Sequence, residues 1–231
     1  MTISSGPHSG PTGAGPFTPD GCSVELYARL PWADDVGVVA EAAGGPASVL
    51  ELGCGAGRVT HALLSAGHRV VGVDQSAEML RHVRGARTVL GTIEELRLGE
   101  RFEVVLLMSY LLSMAEKPLR ARLLATCREH LADDGVLLLQ WFTPEWFDTV
   151  TPREQADERL RISLHSIVRD TPGRVHAVCE YTLDAQVWQQ PFTVVRIERA
   201  ELRAELAAAG LRWREGFAGD RNWVLADPVT G

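Results

Sequence analysis

Apolar and polar positions along the chain follow two regimes. From Ala47 to Phe142, compact apolar runs alternate with stretches of helical period. Ala47–Leu52 is an apolar run opening into a glycine-rich turn, the pattern of a strand buried on both faces. Val59, Ala62, Leu63 and Ala66 then recur on one helix face, with Gly67 as a C-terminal stop. Arg69–Asp74 predicts a second strand, and Ser76 a cap for a helix carrying Met79, Leu80 and Val83. Thr88–Leu90, Phe102–Met108 and Gly135–Phe142 predict the third, fourth and fifth strands, with Leu119, Leu123, Cys127 and Leu131 marking a helix before the fifth. Such alternation favours a parallel sheet clothed by helices.

Past Phe142 the period changes. Leu160–Arg169, Arg174–Leu183 and Val187–Ile197 alternate with period two, and Asp170-Thr171-Pro172-Gly173 is a turn between the first pair. A helix over Arg199–Ala209 ends at Gly210, and Leu211–Phe217 and Trp223–Ala226 read as closing strands. The predicted fold is α/β: a seven-stranded, mostly parallel sheet with helices on both faces, plus a three-stranded antiparallel insertion after strand five, at about 160–197. Val24, Tyr27 and Leu30 share one face of a short helix stopped by Pro31. Residues 1–21 hold five glycines and four prolines and almost no large apolar side chain, which predicts a mobile tail before a domain spanning 22–231.

Composition narrows the classes. With 231 residues, 45% hydrophobic and 23% charged, the chain is long enough to bury a core without staples. A net charge of −7 with no basic stripe argues against nucleic acid as a partner. No apolar run approaches a membrane span, and the N-terminus lacks the basic start and apolar core of a signal peptide. Cys22, Cys54, Cys127 and Cys179 are scattered, as free thiols in a reducing cytosol are, so a cytoplasmic location is expected. No convergent acidic set predicts a metal, and Asp133 and Asp134 fit a helix–strand turn.

The chemistry concentrates in Val49-Leu50-Glu51-Leu52-Gly53-Cys54-Gly55-Ala56-Gly57-Arg58. Alternate glycines between strand and helix let backbone approach a ligand closely, and the N–H groups of a helix start favour a carboxylate or phosphate. A dinucleotide fingerprint needs a small residue where Arg58 stands, and a P-loop needs Gly-Lys-Ser/Thr, which is absent. Asp74, closing the second strand, suits two ribose hydroxyls and disfavours a 2′-phosphate. An adenosine ligand without pyrophosphate fits this set best. The competing role of the glycines is a tight turn that holds nothing.

Val49–Thr60 resembles motif I of the class I S-adenosylmethionine (SAM)-dependent methyltransferases, and Val70–Leu80 their following segment. Gly91-Thr92-Ile93-Glu94-Glu95-Leu96, Phe102–Leu112 and Leu131–Phe142 resemble their later motifs, so the likeness covers about residues 22–145 in order and spacing. It implies a Rossmann-like fold with SAM as cofactor. Gly53, Gly55 and Gly57 would cradle the methionine portion, Asp74 the ribose, and Gln75, Met79 and Ile93 the adenine. Glu51, Cys54 and Met108 would also line the cofactor site, and Tyr27 would offer an aromatic face to the sulfonium. Many family members carry an acid where Thr92 stands; here the adenine amino group would meet a hydroxyl.

Methyl transfer from a sulfonium is an in-line displacement that needs alignment and a dry site more than a fixed triad. Ser109 and Tyr110 after strand four, and Trp141 and Trp146 after strand five, are candidates to bind a small acceptor; Phe142 and Phe147 read as a hydrophobic seam. His165 and Tyr110 are the candidate catalytic groups, an imidazole being suited to take a proton near neutrality. The insertion and the C-terminal segment resemble nucleotide-sugar N,N-dimethyltransferases, although the loop Ser109-Tyr110-Leu111-Leu112-Ser113 departs from theirs. N- or O-methylation of a small metabolite by a monomer or homodimer is the resulting expectation. Aminocarboxypropyl transfer or cyclisation from SAM, and a non-catalytic SAM-binding module, are the alternatives.

Overall fold

The computed structural model of the chain describes residues 10–32, 36–171, 173–215 and 222–229. In chain order the first elements are α1 (Val24–Arg29), α2 (Gly37–Ala43), β1 (Ser48–Leu52), α3 (Arg58–Ser65), β2 (Arg69–Asp74), α4 (Ala77–Leu80), β3 (Arg87–Leu90) and β4 (Phe102–Leu107). Then come α5 (Leu111–Met114), α6 (Lys117–His130), β5 (Leu131–Gln140), α7 (Pro144–Thr149), β6 (Arg153–Ala156), β7 (Leu160–Thr171), β8 (Arg174–Leu183) and β9 (Gln186–Val195). The last are α8 (Arg199–Ala208), β10 (Leu211–Trp213) and β11 (Trp223–Pro228). The chain divides into two compact units, one of Met1–Leu30 with Pro144–Arg196 and one of Pro31–Thr143 with Ile197–Gly231.

The larger unit is built on a seven-stranded sheet in the order β10-β11-β5-β4-β1-β2-β3. β3, β2, β1, β4 and β5 pair in parallel, whereas β11 runs antiparallel to both β5 and β10. Strands buried on both faces explain the unbroken apolar runs: along β4, Val105 and Leu107 enter one core while Val104 and Leu106 enter the other. The first core takes Leu123, Leu124 and Cys127 of α6 and Leu202 and Leu206 of α8; the second takes Val39 of α2 and Leu63 of α3. On the α6–α8 side, Arg120 is buried to 3% exposure and donates to Glu205 at 2.6 and 2.9 Å and to Glu201 at 2.9 Å. Strand order reverses at β1, and in open α/β sheets ligands sit beyond the carboxyl ends of the strands at such a point.

The fifth strand begins at Leu131 rather than Gly135, because Leu131 pairs with Phe102 before a register shift. Of the predicted strand Leu211–Phe217, β10 supplies Leu211–Trp213; residues 216 and 217 lie outside the described residues.

The smaller unit holds a four-stranded antiparallel sheet, β6-β7-β8-β9. The insertion therefore has four strands where the sequence suggests three, the added strand β6 preceding the predicted span. The described part of the segment before α1 makes specific contacts with this sheet. Thr12 and Gln189 exchange backbone hydrogen bonds at 3.0 and 2.9 Å, and the Trp188 indole N–H donates to the Ala14 carbonyl at 2.9 Å. Gly13 (φ +131°) lies against the Trp188 ring, which a Cβ at that position would strike. Residues 1–9 of that tail, and Pro172 of the predicted turn, lie outside the described residues.

Candidate functional site

Backbone hydrogen bonds close much of the turn after β1. Gly53 and Cys54 both donate to the Val73 carbonyl, at 2.8 and 2.9 Å, and Gly57 donates to Cys54 at 3.0 Å. Gly57, in the left-handed region, then leads into α3. Gly55 (φ +53°) is informative because a Cβ there would meet nothing within 4 Å. Packing of the free protein does not demand glycine at this point; the left-handed backbone favours it, and the backbone here faces open space into which a side chain would project.

Asp74 ties the turn to β2. One carboxylate oxygen accepts from Gly55 N–H at 2.8 Å and the other from Ser76 N–H at 2.9 Å, while the Ser76 hydroxyl caps α4 on Met79 N–H. The acid predicted to hold a ribose is thus fixed directly under the open glycine. Met79 itself is buried. Gln75 separates Asp74 from the capping serine.

Glu51 sits inside the sheet at 3% exposure and accepts a 2.5 Å hydrogen bond from the Thr60 hydroxyl. Burial, reinforced by the Asp74 charge and opposed by the Thr60 bond, pushes its carboxyl up to about 8. It is a protonated group over most of the neutral range. Burial likewise raises the Cys54 thiol, so that side chain packs rather than reacts. Among the described residues, the buried Thr92 hydroxyl has no hydrogen-bond partner, as is true of the Trp141 and Trp146 indole N–H groups. Open space before Gly55 and the unmet Thr92 hydroxyl both lie near the end of Asp74's strand.

At the end of β4 the backbone is strained. Ser109 and Tyr110 are consecutive non-glycine residues at φ 55°, a conformation that costs roughly 1–2 kcal/mol each and clusters at functional sites. Ser109 N–H donates to Gln140 Oε1 at 3.0 Å, and the Tyr110 ring stacks on Phe142 at 3.9 Å between centroids. Asn222 donates to the Tyr110 hydroxyl at 3.3 Å. Gln140 and Asn222 escaped the sequence reading; a glutamine closing an otherwise apolar strand was the available signal for the first. Met108, just before this pair, is buried in the second core. Trp141 is fully buried in the first core, edge-on to Trp213 at 6.0 Å between ring centroids.

In the smaller unit, the Tyr27 hydroxyl donates to Gln190 at 3.0 Å, and burial holds its phenol well above the usual value. Gln190 pairs with Cys179, and Cys179 with Leu164, so these residues share one sheet face. Trp146 packs with Leu164 and Ala177 on that same face. His165 pairs with Val178 on the opposite face, against Ser166 at 2.8 Å and Glu180 at 3.8 Å. His165 therefore lies on the face of this sheet opposite to Leu164, Ala177 and Gln190.

The fold and the turn define a class. Residues 49–135 match a family model described as a methyltransferase domain, and the chain carries the fold of the class I SAM-dependent methyltransferases. Particular relatives follow. The chain is 33% identical over 152 residues to a trans-aconitate 2-methyltransferase of Azoarcus sp. (strain BH72), covering 64% of this chain and 50% of that protein; it thus spans about half the length of this curated relative. Among solved structures it is similar to the CcbJ methyltransferase of Streptomyces caelestis, with 21% identity, a TM-score of 0.71, and 90% and 96% of the two chains covered. It is also similar to SAM-bound CalS10, an amino pentose methyltransferase from Micromonospora echinaspora involved in calicheamicin biosynthesis, with 24% identity, a TM-score of 0.64, and 89% and 92% covered.

Proposed function

We propose that the chain binds SAM at the β1 turn and transfers its methyl group to a nitrogen or oxygen of a small-molecule metabolite. The observation that carries this reading is the Asp74–Gly55 arrangement: a carboxylate anchored beneath a glycine that presents backbone to open space. When bound, SAM supplies an activated methyl group on a sulfonium. The chain's own work is to hold and align. The turn N–H groups and the positive end of α3 take the amino-acid carboxylate, and Asp74 takes the ribose hydroxyls. Ile93 and Met79 border the heterocycle, and the reaction needs alignment and exclusion of water more than a fixed triad.

Ser109 and Tyr110, forced into left-handed backbone at the end of β4, supply the acceptor-side hydroxyls. An amino sugar and a polycarboxylic acid are the two acceptor types that the relatives' names suggest, and they correspond to N- and O-transfer respectively.

The test is calorimetry with S-adenosylhomocysteine, followed by turnover with SAM on panels of amino sugars and polycarboxylates. Binding, with S-adenosylhomocysteine as the product, supports the proposal. Methylthioadenosine as the product would replace it with aminocarboxypropyl chemistry, and absence of binding would remove it.

A further inference from the structure

The parallel pairing of β4 with β5 ends at Leu107 and Leu139, so the backbone beyond it needs other hydrogen-bond partners. Ser109 N–H finds one in a side chain, donating to Gln140 Oε1 at 3.0 Å. Gln140 is 9% exposed and closes a strand whose preceding residues, Val136–Leu139, are buried and apolar. Only its amide oxygen can accept from a backbone N–H, so this contact fixes which way the amide faces. Ser109 and the next residue, Tyr110, both stand at φ 55°, a backbone conformation that residues with side chains keep only where their surroundings impose it. Phe142, two residues past Gln140, grips the turn further on. Its N–H donates to Ser113 Oγ at 2.9 Å, and its ring lies flat on that of Tyr110. Asn222 meets the Tyr110 hydroxyl.

We infer that Gln140 is a positioning residue for methyl transfer: by accepting from Ser109 N–H it holds Ser109 and Tyr110 in left-handed backbone, and so fixes where the Tyr110 phenol stands before the acceptor. The inference rests on the reading above that this turn serves the acceptor. Stacking on Phe142 and the Asn222 contact orient the Tyr110 side chain, but neither holds the Ser109 peptide. Without the Gln140 oxygen that N–H loses its partner beside a strained backbone, and the turn relaxes, carrying the phenol with it. Glycine adopts the same backbone at no steric cost, so strain at position 109 is what makes the tether necessary.

The experiment compares the full chain with Gln140→Met, which keeps the volume but not the acceptor, and Gln140→Glu, which keeps both. Amide exchange at Ser109 is read without ligand, S-adenosylhomocysteine binding by calorimetry, and turnover with SAM on the amino-sugar and polycarboxylate panels. Gln140→Met should speed exchange at Ser109 and lower kcat by about tenfold each, the size of one lost hydrogen bond, with S-adenosylhomocysteine affinity changed less than about twofold. Gln140→Glu should bring exchange and kcat back to within about threefold of wild type. In a Ser109→Gly background, Gln140→Met should lower kcat less than about threefold, because glycine needs no tether. Unchanged exchange in Gln140→Met, equal losses in Gln140→Met and Gln140→Glu, or an undiminished loss in the Ser109→Gly background would each overturn the inference. So would S-adenosylhomocysteine affinity falling in step with kcat, the mark of general structural damage. Should Gln140→Met not fold, Gln140→Asn, whose shorter side chain withdraws the oxygen, takes its place under the same criteria. Faster exchange with unaltered kcat would overturn the inference through the acceptor reading, since the tether would be present on a turn that does not serve the acceptor. If S-adenosylhomocysteine does not bind the wild type, the adenosyl-binding reading itself has failed and the inference falls with it.

Discussion

Replacing Glu51 by glutamine should make the protein more stable at high pH and leave it nearly unchanged at low pH. In the folded chain the Glu51 carboxyl titrates at about 8, against 4.5 for an ordinary glutamate. Between these values the native state keeps a proton that the unfolded state has released. Unfolding then releases a proton, so stability falls as pH rises through this window. At about 1.4 kcal/mol per pH unit the full penalty approaches about 5 kcal/mol above pH 8. Relaxation of Thr60 and of nearby water around the carboxylate lowers it, and a measured difference of about 2–3 kcal/mol is expected. Glutamine is neutral throughout and can still accept from the Thr60 hydroxyl at this position. The assay is urea unfolding of both proteins from pH 4.5 to 9. His61 and His68, whose pKa values are lowered by burial, affect both proteins equally and cancel in the difference. The curves should meet near pH 4.5, diverge through neutrality and run parallel above 8. Parallel curves across the whole range would refute the claim that Glu51 is held protonated.

Three further outcomes follow from the geometry. Asp74→Ala should weaken S-adenosylhomocysteine binding by about 1–3 kcal/mol, read by calorimetry on folded protein; unchanged affinity would remove Asp74 from the site. Arg120→Ala leaves Glu205 and Glu201 without their buried cation and should cost about 3 kcal/mol in urea unfolding, whereas a loss under about 1 kcal/mol would mean the cluster is already solvated. Trp188→Phe deletes the donor to Ala14 and should cost about 1 kcal/mol. It should also speed limited proteolysis between residues 10 and 21, and an unaltered cleavage rate would contradict the docking of that segment.

The parallel core was legible because burial on both faces writes itself as uninterrupted apolar runs, and the turn because alternate glycines have few other uses. Asp74 was legible by its place at the end of β2. Other features had no local signature. β6 is the segment Arg-Glu-Gln-Ala at Arg153–Ala156, fully exposed, and no alternation distinguishes such an edge from a loop. The contacts of Thr12, Gly13 and Ala14 are made with Gln189 and Trp188, far along the chain, and glycine and proline content carries no sign of them. His165 was chosen for its chemistry, but the face it occupies is set by register and by the irregularity after it, where Ser166 takes φ 53°. The strain at Ser109 and Tyr110 is likewise invisible in the sequence, since neither residue type advertises left-handed backbone.

A crystal of the full chain soaked with S-adenosylhomocysteine tests the site most directly. Density for a ribose with both hydroxyls within hydrogen-bond distance of the Asp74 carboxylate, and an amino-acid tail against Gly53 and Gly55, is the predicted result. A nucleoside bound elsewhere, with the space before Gly55 closed by side chains, would contradict it.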